Sequence, residues 1–272
     1  MQRAKTQIAV VRPDGLKGLE LHTGAAVSGE VPKHWHEEYQ VWTLTEGRND
    51  WLYRGSSCHS GPGCLNLVEP GELHANLAGG PRGCDYLKMD FDASWFAQLG
   101  EGIPLRATPA FVSPTMEDRE AVLRFVRTHR VLRDSTCMLH RQSLLLDFLA
   151  FLVHRHTRLR TGPAPAANEP RAVRMVREYL TGNYASKIDL ADLTALTGLS
   201  PFHLTRIFTR ETGMAPHAFL SQIRVHRAKA LLRSRLPISH VALETGFADQ
   251  SHLTRVFKTF VRISPGAYRR QQ

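Results

Sequence analysis

The sequence predicts two domains of different class: an N-terminal all-β barrel with two following helices, and a C-terminal all-α domain. Residues 1 to about 110 hold short apolar runs separated by Gly, Pro, Asn and Asp, which is typical of an antiparallel sandwich or small barrel. From Thr115 the apolar residues follow the helical period instead. Near the C-terminus, the string HLTRIF of residues 203–208 returns as HLTRVF at residues 252–257, which indicates a duplicated helical unit.

Positive charge is confined to the C-terminal part of this basic chain. The net charge is +10 over 272 residues. Residues 170–272 hold 16 Lys or Arg and 6 Asp or Glu, whereas residues 1–169 hold 19 of each kind. Evenly spread charge could serve solubility alone, but segregation beside the duplicated unit favours a polyanionic partner.

Composition also argues against several classes of protein. The longest apolar run, residues 144–153, is broken by Asp147 and is far short of the roughly 20 residues that a membrane span needs. The N-terminus shows no apolar core of signal-peptide type, so we expect a cytoplasmic protein with no membrane partner. The four cysteines form no CxxC pair, and we expect them to be reduced and mostly buried.

In the N-terminal domain, strands are predicted at Tyr39–Thr45, Asp50–Tyr53 and Leu65–Val68, each of which precedes a turn containing glycine. Two helices follow. Their apolar stripes comprise Val122, Phe125, Val126, His129 and Leu132 in the first helix, and Leu139, Leu145, Leu146, Leu149, Leu152 and Val153 in the second. The second stripe either faces another subunit, which would make the protein a homodimer, or belongs to the core of its own chain.

Residues 161–170, TGPAPAANEP, have the composition of a linker. The linker coincides with the charge boundary, so two independent signals place a domain break there. We therefore expect an N-terminal domain over residues 1–160 and a C-terminal domain over residues 171–272.

The first copy of the duplicated unit is predicted to be two helices joined by a tight turn. Asp189 can cap the first helix and Gly198 can end it. Ser200 can cap the second helix, with Pro201 at its first position, where a missing amide proton costs nothing. The buried stripe of this helix is Leu204, Ile207 and Phe208, and its opposite face carries Phe202, Thr205, Arg206 and Thr209.

The second copy repeats this design. A helix from about Ile238 stops at Gly246, and Asp249 caps the next helix. That helix turns Leu253, Val256, Phe257 and Phe260 toward the core and Ser251, Thr254, Arg255 and Lys258 outward. A purely structural duplication would need to keep only the buried stripe, whereas both copies also keep an outward Thr–Arg pair.

An outward Thr–Arg pair suits a helix in the major groove of DNA, because Arg can bind guanine bidentately and Thr can meet a thymine methyl group or a phosphate. The alternative for Arg206 and Arg255 is an arginine that is solvated or paired with a carboxylate. His203 and His252 flank this face, where phosphate contact or packing is as reasonable as base contact. A long helix, roughly Pro216 to Arg233, separates the copies and would hold the two reading helices about one DNA turn, roughly 34 Å, apart.

The two units resemble the DNA-binding domain of the AraC/XylS family of bacterial transcription regulators. The matching motifs are GLSP at residues 198–201 followed by HLTRIF, then GF at 246–247, SHLTRVFK at 251–258 and SPGAYR at 264–269. One departure is Arg262-Ile263, where the family usually has Gly before the Ser-Pro turn. The resemblance implies contacts to double-stranded DNA from Phe202, His203, Thr205, Arg206, Thr209, Gln250, Ser251, His252, Thr254, Arg255 and Lys258.

The N-terminal domain carries a histidine pattern of its own. His34, His36, Gln40 and Trp42 share strand parity and could point to one interior, and His74 follows a turn after Glu69. The pattern is similar to the two cupin motifs, in which His and Glu side chains bind a metal inside a barrel. It also resembles the ligand-binding half of AraC-type regulators, which keeps that barrel and usually lacks the metal.

Our preferred interpretation is a binding site for a small-molecule effector, lined by His34, His36, Gln40, Trp42, Trp51, Tyr53 and His74. A divalent cation on His34, His36, Gln40 and His74 is less favoured, because Gln40 stands where an anionic ligand would balance the charge. A third interpretation is a hydrogen-bonded barrel core that binds nothing. No feature of the sequence names the effector.

These patterns together predict a sequence-specific DNA-binding transcription regulator, an activator rather than a repressor, whose N-terminal barrel senses an effector. We expect RNA polymerase as a further partner, no cofactor and no enzymatic activity. The rival from another class is a cupin-type metal-dependent enzyme fused to a DNA-binding tail. A second rival is a constitutive DNA-binding protein whose barrel serves only for dimerisation.

Overall fold

A computed structural model describes residues 6–77, 83–99, 109–158 and 170–271 of the chain. The chain separates into two compact units, residues 1–164 together with 271–272, and residues 165–270. Nearly all of the expected linker, residues 161–169, lies outside the described residues, as does the side chain of Phe202. Within the described ranges, no helix is long and apolar enough to cross a membrane.

The N-terminal unit is built from antiparallel sheets. A six-stranded sheet has the order β1-β2-β9-β4-β7-β11, a four-stranded sheet has the order β3-β8-β5-β6, and β10 pairs with β12. The strands are β1 (Gln7–Val11), β2 (Leu19–Val27), β3 (Val31–His34), β4 (Tyr39–Glu46), β5 (Asn49–Tyr53), β6 (Ser56–Ser60), β7 (Leu65–Val68), β8 (His74–Asn76), β9 (Cys84–Phe91), β10 (Ala110–Phe111), β11 (Thr115–Met116) and β12 (Thr157–Arg158). The predicted strands at 39–45, 50–53 and 65–68 are confirmed within a residue.

Strand β4 separates two cores because successive side chains point to opposite faces of a sheet. Tyr39 and Val41 join the larger core, which the helices also enter. Trp42 and Leu44 point the other way, into a smaller cluster shared with Trp51 of the four-stranded sheet. The two sheets therefore pack face to face through this smaller cluster.

Helices α1 (Ser94–Ala97), α2 (Arg119–Asp134) and α3 (Met138–His156) complete the N-terminal unit. Asp118 caps α2 by accepting hydrogen bonds from the backbone N–H groups of Glu120 and Ala121. On α3, the side chains of Leu145, Leu149 and Leu152 are fully buried within the chain, together with Phe148 and Val153. Leu139 was expected in this stripe, but it lies in the first turn of α3 and is 73% exposed. Most of the predicted dimer stripe is therefore intrachain core.

The C-terminal unit is all helical, which confirms the predicted fold class. Its helices are α4 (Arg171–Gly182), α5 (Leu190–Thr197), α6 (Pro201–Thr212), α7 (Pro216–Leu231), α8 (Ile238–Glu244), α9 (Gln250–Val261) and α10 (Pro265–Arg270). Asp189 and Asp192 form a reciprocal capping box at the start of α5, and Gly198 ends that helix in the left-handed conformation, with φ of +69°.

The duplication extends beyond the repeated string. The rings of Phe208 and Phe219 meet edge to face with centroids 5.4 Å apart, and 49 residues later Phe257 and Tyr268 meet in the same way at 5.4 Å. These pairs join α6 to α7 and α9 to α10. Since each pair buries a helix against its successor, the aromatic contact stabilises the orientation of α6 and α9.

Candidate nucleic-acid interface and effector site

Helices α6 and α9 present matching faces to solvent. Arg206 of α6 and Arg255 of α9 are exposed, and neither is in an ion pair with another described residue. Thr205 and Thr254 are half-buried beside them. Of the other predicted contact residues, His203, Thr209, Gln250, Ser251 and Lys258 are exposed and His252 is half-buried. Both arginines are thus available to an external acceptor.

Local sequence signals fix these two helices. The Ser200 hydroxyl accepts a hydrogen bond from the backbone N–H of His203 at 3.3 Å, and the Asp249 carboxylate accepts one from His252 at 2.7 Å. Beneath the outward faces, Leu204 and Leu253 are both 0% exposed. Cap and buried anchor together determine which way Arg206 and Arg255 point.

The two turns that precede α6 and α9 differ in length by one residue. Gly198 lies two residues before its cap Ser200, whereas Gly246 lies three residues before Asp249. The inserted residue allows the Phe247 ring to pack edge to face on His252, with ring centroids 5.3 Å apart. His252 therefore has a packing role that His203 lacks, since Gly198 carries no side chain.

Helix α7 lies in the chain between the helix pair α5–α6 and the helix pair α8–α9. It packs against α4, α6, α8 and α9, and its buried side includes Phe219, Leu220, Ile223 and Ala228. It ends at Leu231, two residues earlier than expected. A single helix that contacts both α6 and α9 fits the predicted spacer.

In the N-terminal unit, the structure brings together His34, His36 and His74, here called the histidine cluster. The ring centroids lie 4.0 Å apart for His34 and His74, 4.8 Å for His36 and His74, and 6.2 Å for His34 and His36. Strand pairing explains the contact, because β8 lies between β3 and β5 and places His74 directly opposite both His34 and Tyr53.

Burial keeps the histidine cluster uncharged. Loss of solvation, aided by neighbouring His36, lowers the pKa of His34 from 6.5 to about 3. Burial also lowers the pKa of His36, and burial together with the other two rings lowers the pKa of His74 well below its usual range. At neutral pH all three imidazoles are therefore neutral.

The three aromatic residues that were predicted to line the effector site, Trp42, Trp51 and Tyr53, lie in an apolar core cluster. The Trp51 ring lies 5.4 Å from that of Trp42 and 5.7 Å from that of Tyr53, and all three residues are at most 8% exposed. They form the smaller core cluster, so part of this lining serves packing. Gln40 lies on β4 opposite Asp90 and Val68 and is half-buried.

Sequence reasoning missed a buried ionic network on β2 and β9. Arg12 contacts Glu20 at 2.8 Å, Lys88 contacts Asp90 at 2.9 Å, and His22 lies 3.1 Å from the Asp90 carboxylate. Glu20 and Asp90 face each other across the strand pair and are each 3% exposed. Apolar and polar residues alternate in β2 (LELH) and in β9 (MDF), a pattern that suggests one solvent-exposed face. In the structure, the polar face that carries Glu20, His22 and Asp90 is buried as well.

A shared cation does not fit the histidine cluster as it stands. Two imidazoles on one tetrahedral zinc ion hold their ring centroids about 5 Å apart, since each N–Zn bond is about 2.1 Å. The separations of 4.0 and 6.2 Å depart from this in both directions. Among the described residues, the group whose ligand atoms converge within 4.8 Å is instead Glu20, His22 and Asp90. There, Arg12 and Lys88 already balance the two carboxylates.

Comparison with known families agrees with this architecture. Residues 18–149 match the AraC-like ligand binding domain, and residues 193–271 match a helix-turn-helix domain. The chain belongs to the AraC family of transcription regulators. It thus combines a ligand-binding domain of that family with its DNA-binding domain.

Relatives of this AraC-family chain are themselves described as regulators. It is 27% identical over 239 residues to YbfI of Bacillus subtilis (strain 168), an uncharacterized HTH-type transcriptional regulator, and the match covers 86% of each protein. A Haemophilus influenzae HTH-type regulator is 34% identical over 82 residues, which cover 30% of this chain and 28% of that protein.

Solved structures show the same fold. Apo ToxT from Vibrio cholerae superposes with a TM-score of 0.59 at 9% identity, covering 98% of this chain and 96% of ToxT. ToxT bound to (E)-4-(8-methylnaphthalen-1-yl)but-3-enoic acid superposes with a TM-score of 0.56 at 11% identity, covering 98% of each chain. At such identities the likeness shows the fold alone.

Proposed function

We propose that this AraC-family chain is a sequence-specific transcription activator that inserts α6 and α9 into two successive major grooves of DNA. The observation that supports this most directly is the outward Thr–Arg pair, which both helices keep above identical buried leucines. Arg206 and Arg255 read base edges, and the threonines contact thymine methyl groups or phosphates. The eleven residues named from the family resemblance form the interface.

Charge supports the same proposal. The excess of 16 basic over 6 acidic residues lies in the C-terminal part that carries α6 and α9. Positive side chains that neutralise phosphates release counterions, which makes binding strong at low salt and weak at high salt. Operator affinity should therefore fall linearly with salt concentration on a double-logarithmic plot.

Single substitutions of the two arginines test the proposal. Arg206→Ala or Arg255→Ala should each weaken specific binding by about 1–3 kcal/mol and relax one base position. Arg174→Ala removes an exposed charge from α4 and is the matched control. Fluorescence anisotropy with operator and scrambled duplexes gives the specificity ratio. An unchanged ratio in both variants would mean that the arginines do not read bases.

Footprinting tests the two-groove geometry. Two protected segments about one helical turn apart, on one face of the duplex, are expected for the intact chain. Arg206→Ala should weaken one segment and Arg255→Ala the other. Protection that spans a single groove would contradict the proposal.

We further propose that the N-terminal unit senses a small molecule at the histidine cluster. An effector can shift an equilibrium between arrangements of the protein only if it binds one of them more tightly. The test is operator affinity measured with and without candidate metabolites. If no molecule that binds the N-terminal unit alters operator affinity or transcription, effector sensing is wrong.

Three further features belong to this proposal: action in the cytoplasm, contact with RNA polymerase, and pairing with a second copy. Since Leu145, Leu149 and Leu152 are buried in their own chain, pairing would use other parts of the surface. Light scattering at operator-saturating concentration tests pairing, and a monomer there would exclude it.

A further inference from the structure

The turn between α4 and α5, residues 183–186, lies against helix α7. The Arg224 side chain of α7 donates two hydrogen bonds to this turn, from Nε to the carbonyl oxygen of Tyr184 at 2.8 Å and from Nη2 to that of Ser186 at 2.9 Å. The Arg227 guanidinium, about one helical turn further along the same face of α7, lies 5.4 Å from the centre of the Tyr184 ring. Two arginines of α7 thus hold the turn through its backbone and through its tyrosine ring.

The same turn meets the second helix pair at Gly246, which follows α8 with φ of +76°. A Cβ atom on Gly246 would lie 2.6 Å from the carbonyl oxygen of Tyr184 and 2.9 Å from that of Ala185. It would also lie 2.9 Å from the Nε atom of Arg224. Only glycine, which has no Cβ, lets the backbone of the second pair approach the turn this closely. At Gly198, which follows α5 in the first pair, a Cβ would meet nothing within 4 Å.

The contact of Arg224 with Tyr184 and Gly246, here called the Arg224 junction, joins the two halves of the C-terminal unit. In the first half, α4 packs on α5 and α6; in the second half, α9 packs on α8 and α10. The turn at residues 183–186 belongs to the first half and Gly246 to the second. Arg224 lies in the middle of α7, which packs against helices of both halves. The junction therefore ties the first half to the turn that leads into α9.

The chemistry of arginine suits a junction that must fix an orientation. The planar fork of a guanidinium binds two oxygen atoms in a set geometry, whereas a lysine ammonium is a point charge on a flexible stem. Hydrogen bonds from a charged donor are also stronger than those between neutral groups. Because Arg224 is half-buried, water competes less for its donors than it does at an exposed arginine. Without the guanidinium, the turn would lose both of these hydrogen bonds to α7.

We propose that Arg224 is a positioning residue that fixes α9 relative to α6, and thereby sets the spacing and rotation at which the two grooves are read. The inference rests on the proposed two-groove function and adds the residue that couples the two readings. Two linked modules gain affinity from each other only when their linkage presents both in the right geometry. Loss of the junction should therefore reduce the gain from the second helix, while α6 and α9 each keep their own contacts with DNA.

Fluorescence anisotropy on the full chain tests the proposal with three duplexes. The first is the operator that the native chain selects from a randomised library, the second has the segment read by one helix scrambled, and the third has one base pair inserted between the two segments. The ratio of the affinities for the first and second duplexes measures the coupling. We expect Arg224→Met to lower this ratio by about 10-fold, and to change the affinity for the second duplex by less than about 3-fold. The insertion rotates one segment by about 34° and should weaken the native chain about 10-fold, but the variant by less than about 3-fold.

Two glycines of the helix pairs provide a matched test from the other side of the junction. Gly246→Ala should lower the ratio as Arg224→Met does, because its Cβ would displace the turn. Gly198→Ala imposes the same unfavourable positive φ where a Cβ meets nothing, and it should leave the ratio unchanged. Arg174→Met removes an exposed charge from α4 and is the control for charge. Circular dichroism checks folding; should Arg224→Met fail to fold, Arg224→Lys and the glycine pair decide.

Equal losses on the first and second duplexes would show that Arg224 only stabilises the unit, and would overturn the inference. An unchanged ratio in the folded Arg224 and Gly246 variants would overturn it as well. The native chain keeps the two proposals apart. If it binds the first and second duplexes equally, the reading of two grooves is wrong. If it prefers the first duplex and Arg224→Met keeps that preference, only the positioning role is wrong.

Discussion

His129 of α2 makes the N-terminal unit sensitive to acid. Its side chain is 1% exposed, and its Nε2 lies 3.3 Å from the carbonyl oxygen of His22, to which it donates. Burial lowers the pKa of His129 from 6.5 to about 4. The unfolded chain takes up this proton near pH 6.5, whereas the folded chain does so only near pH 4. The contribution of neutral His129 to the free energy of unfolding is therefore fully present above pH 6.5, and it is lost as the pH falls toward 4.

The expected magnitude follows from the two pKa values. Between pH 7 and pH 5, proton uptake by the unfolded chain at this one position costs about 2 kcal/mol of stability. His129→Gln keeps a donor where Nε2 lies and removes the titration. Over the same pH range the free energy of unfolding of the variant should thus fall by about 2 kcal/mol less than that of the native chain.

Tryptophan fluorescence isolates the relevant unit, because all four tryptophans, Trp35, Trp42, Trp51 and Trp95, lie in it. Urea titrations at pH 7 and pH 5 give the free energies of unfolding. The histidine cluster titrates in the same way in the native chain and in His129→Gln. Its effect therefore cancels when the changes in their free energies of unfolding between pH 7 and pH 5 are compared. His140→Gln at an exposed position of α3 is the control. Equal pH dependence in native protein and His129→Gln would refute the reasoning.

Four other substitutions test the stability of the C-terminal unit, measured by thermal unfolding with far-UV circular dichroism. Gly198→Ala should cost about 1 kcal/mol, because φ is +69° but a Cβ would meet nothing within 4 Å. Gly246→Ala should cost about 1–3 kcal/mol more, since its Cβ would lie 2.6 Å from the carbonyl oxygen of Tyr184; equal losses would contradict this. Arg262→Gly should stabilise by about 1 kcal/mol, because Arg262 ends α9 with φ of +70°; a lower melting temperature would count against it. Asp249→Ala should lose about 1 kcal/mol and weaken operator binding, since it removes the cap of α9, and an unchanged melting temperature would exclude that role.

The helix pairs could be predicted from the sequence because their signals are local. Ser200 and Asp249 cap α6 and α9 as predicted, and Gly198 and Gly246 adopt positive φ after α5 and α8. A cap needs only the next few residues, so a single sequence contains the required information. The departure at Arg262 was also visible, and the structure shows its consequence as a left-handed arginine in the position that Gly213 fills in the first copy.

The N-terminal site was predictable only in part. Strand parity grouped His34, His36 and Gln40 as if they shared one strand, whereas the structure places His34 on β3, Gln40 on β4 and His36 between the two strands. The pairing of β8 with both β3 and β5 brings His74 to His34 and Tyr53. Two of the expected lining residues, Trp42 and Trp51, are instead packed against each other.

The amino-acid sequence alone determined the two-domain class, the duplicated helix pairs and the outward faces of α6 and α9, because periodicity, caps and charge segregation act over a few residues. Tertiary structure decided which side of each strand is enclosed. A polar residue in an alternating strand pattern can face either water or a second sheet, and only the packing of the two sheets buries Glu20 and Asp90 inside the N-terminal unit. The same packing buries the rings of His36 and His74 and thereby lowers their pKa values.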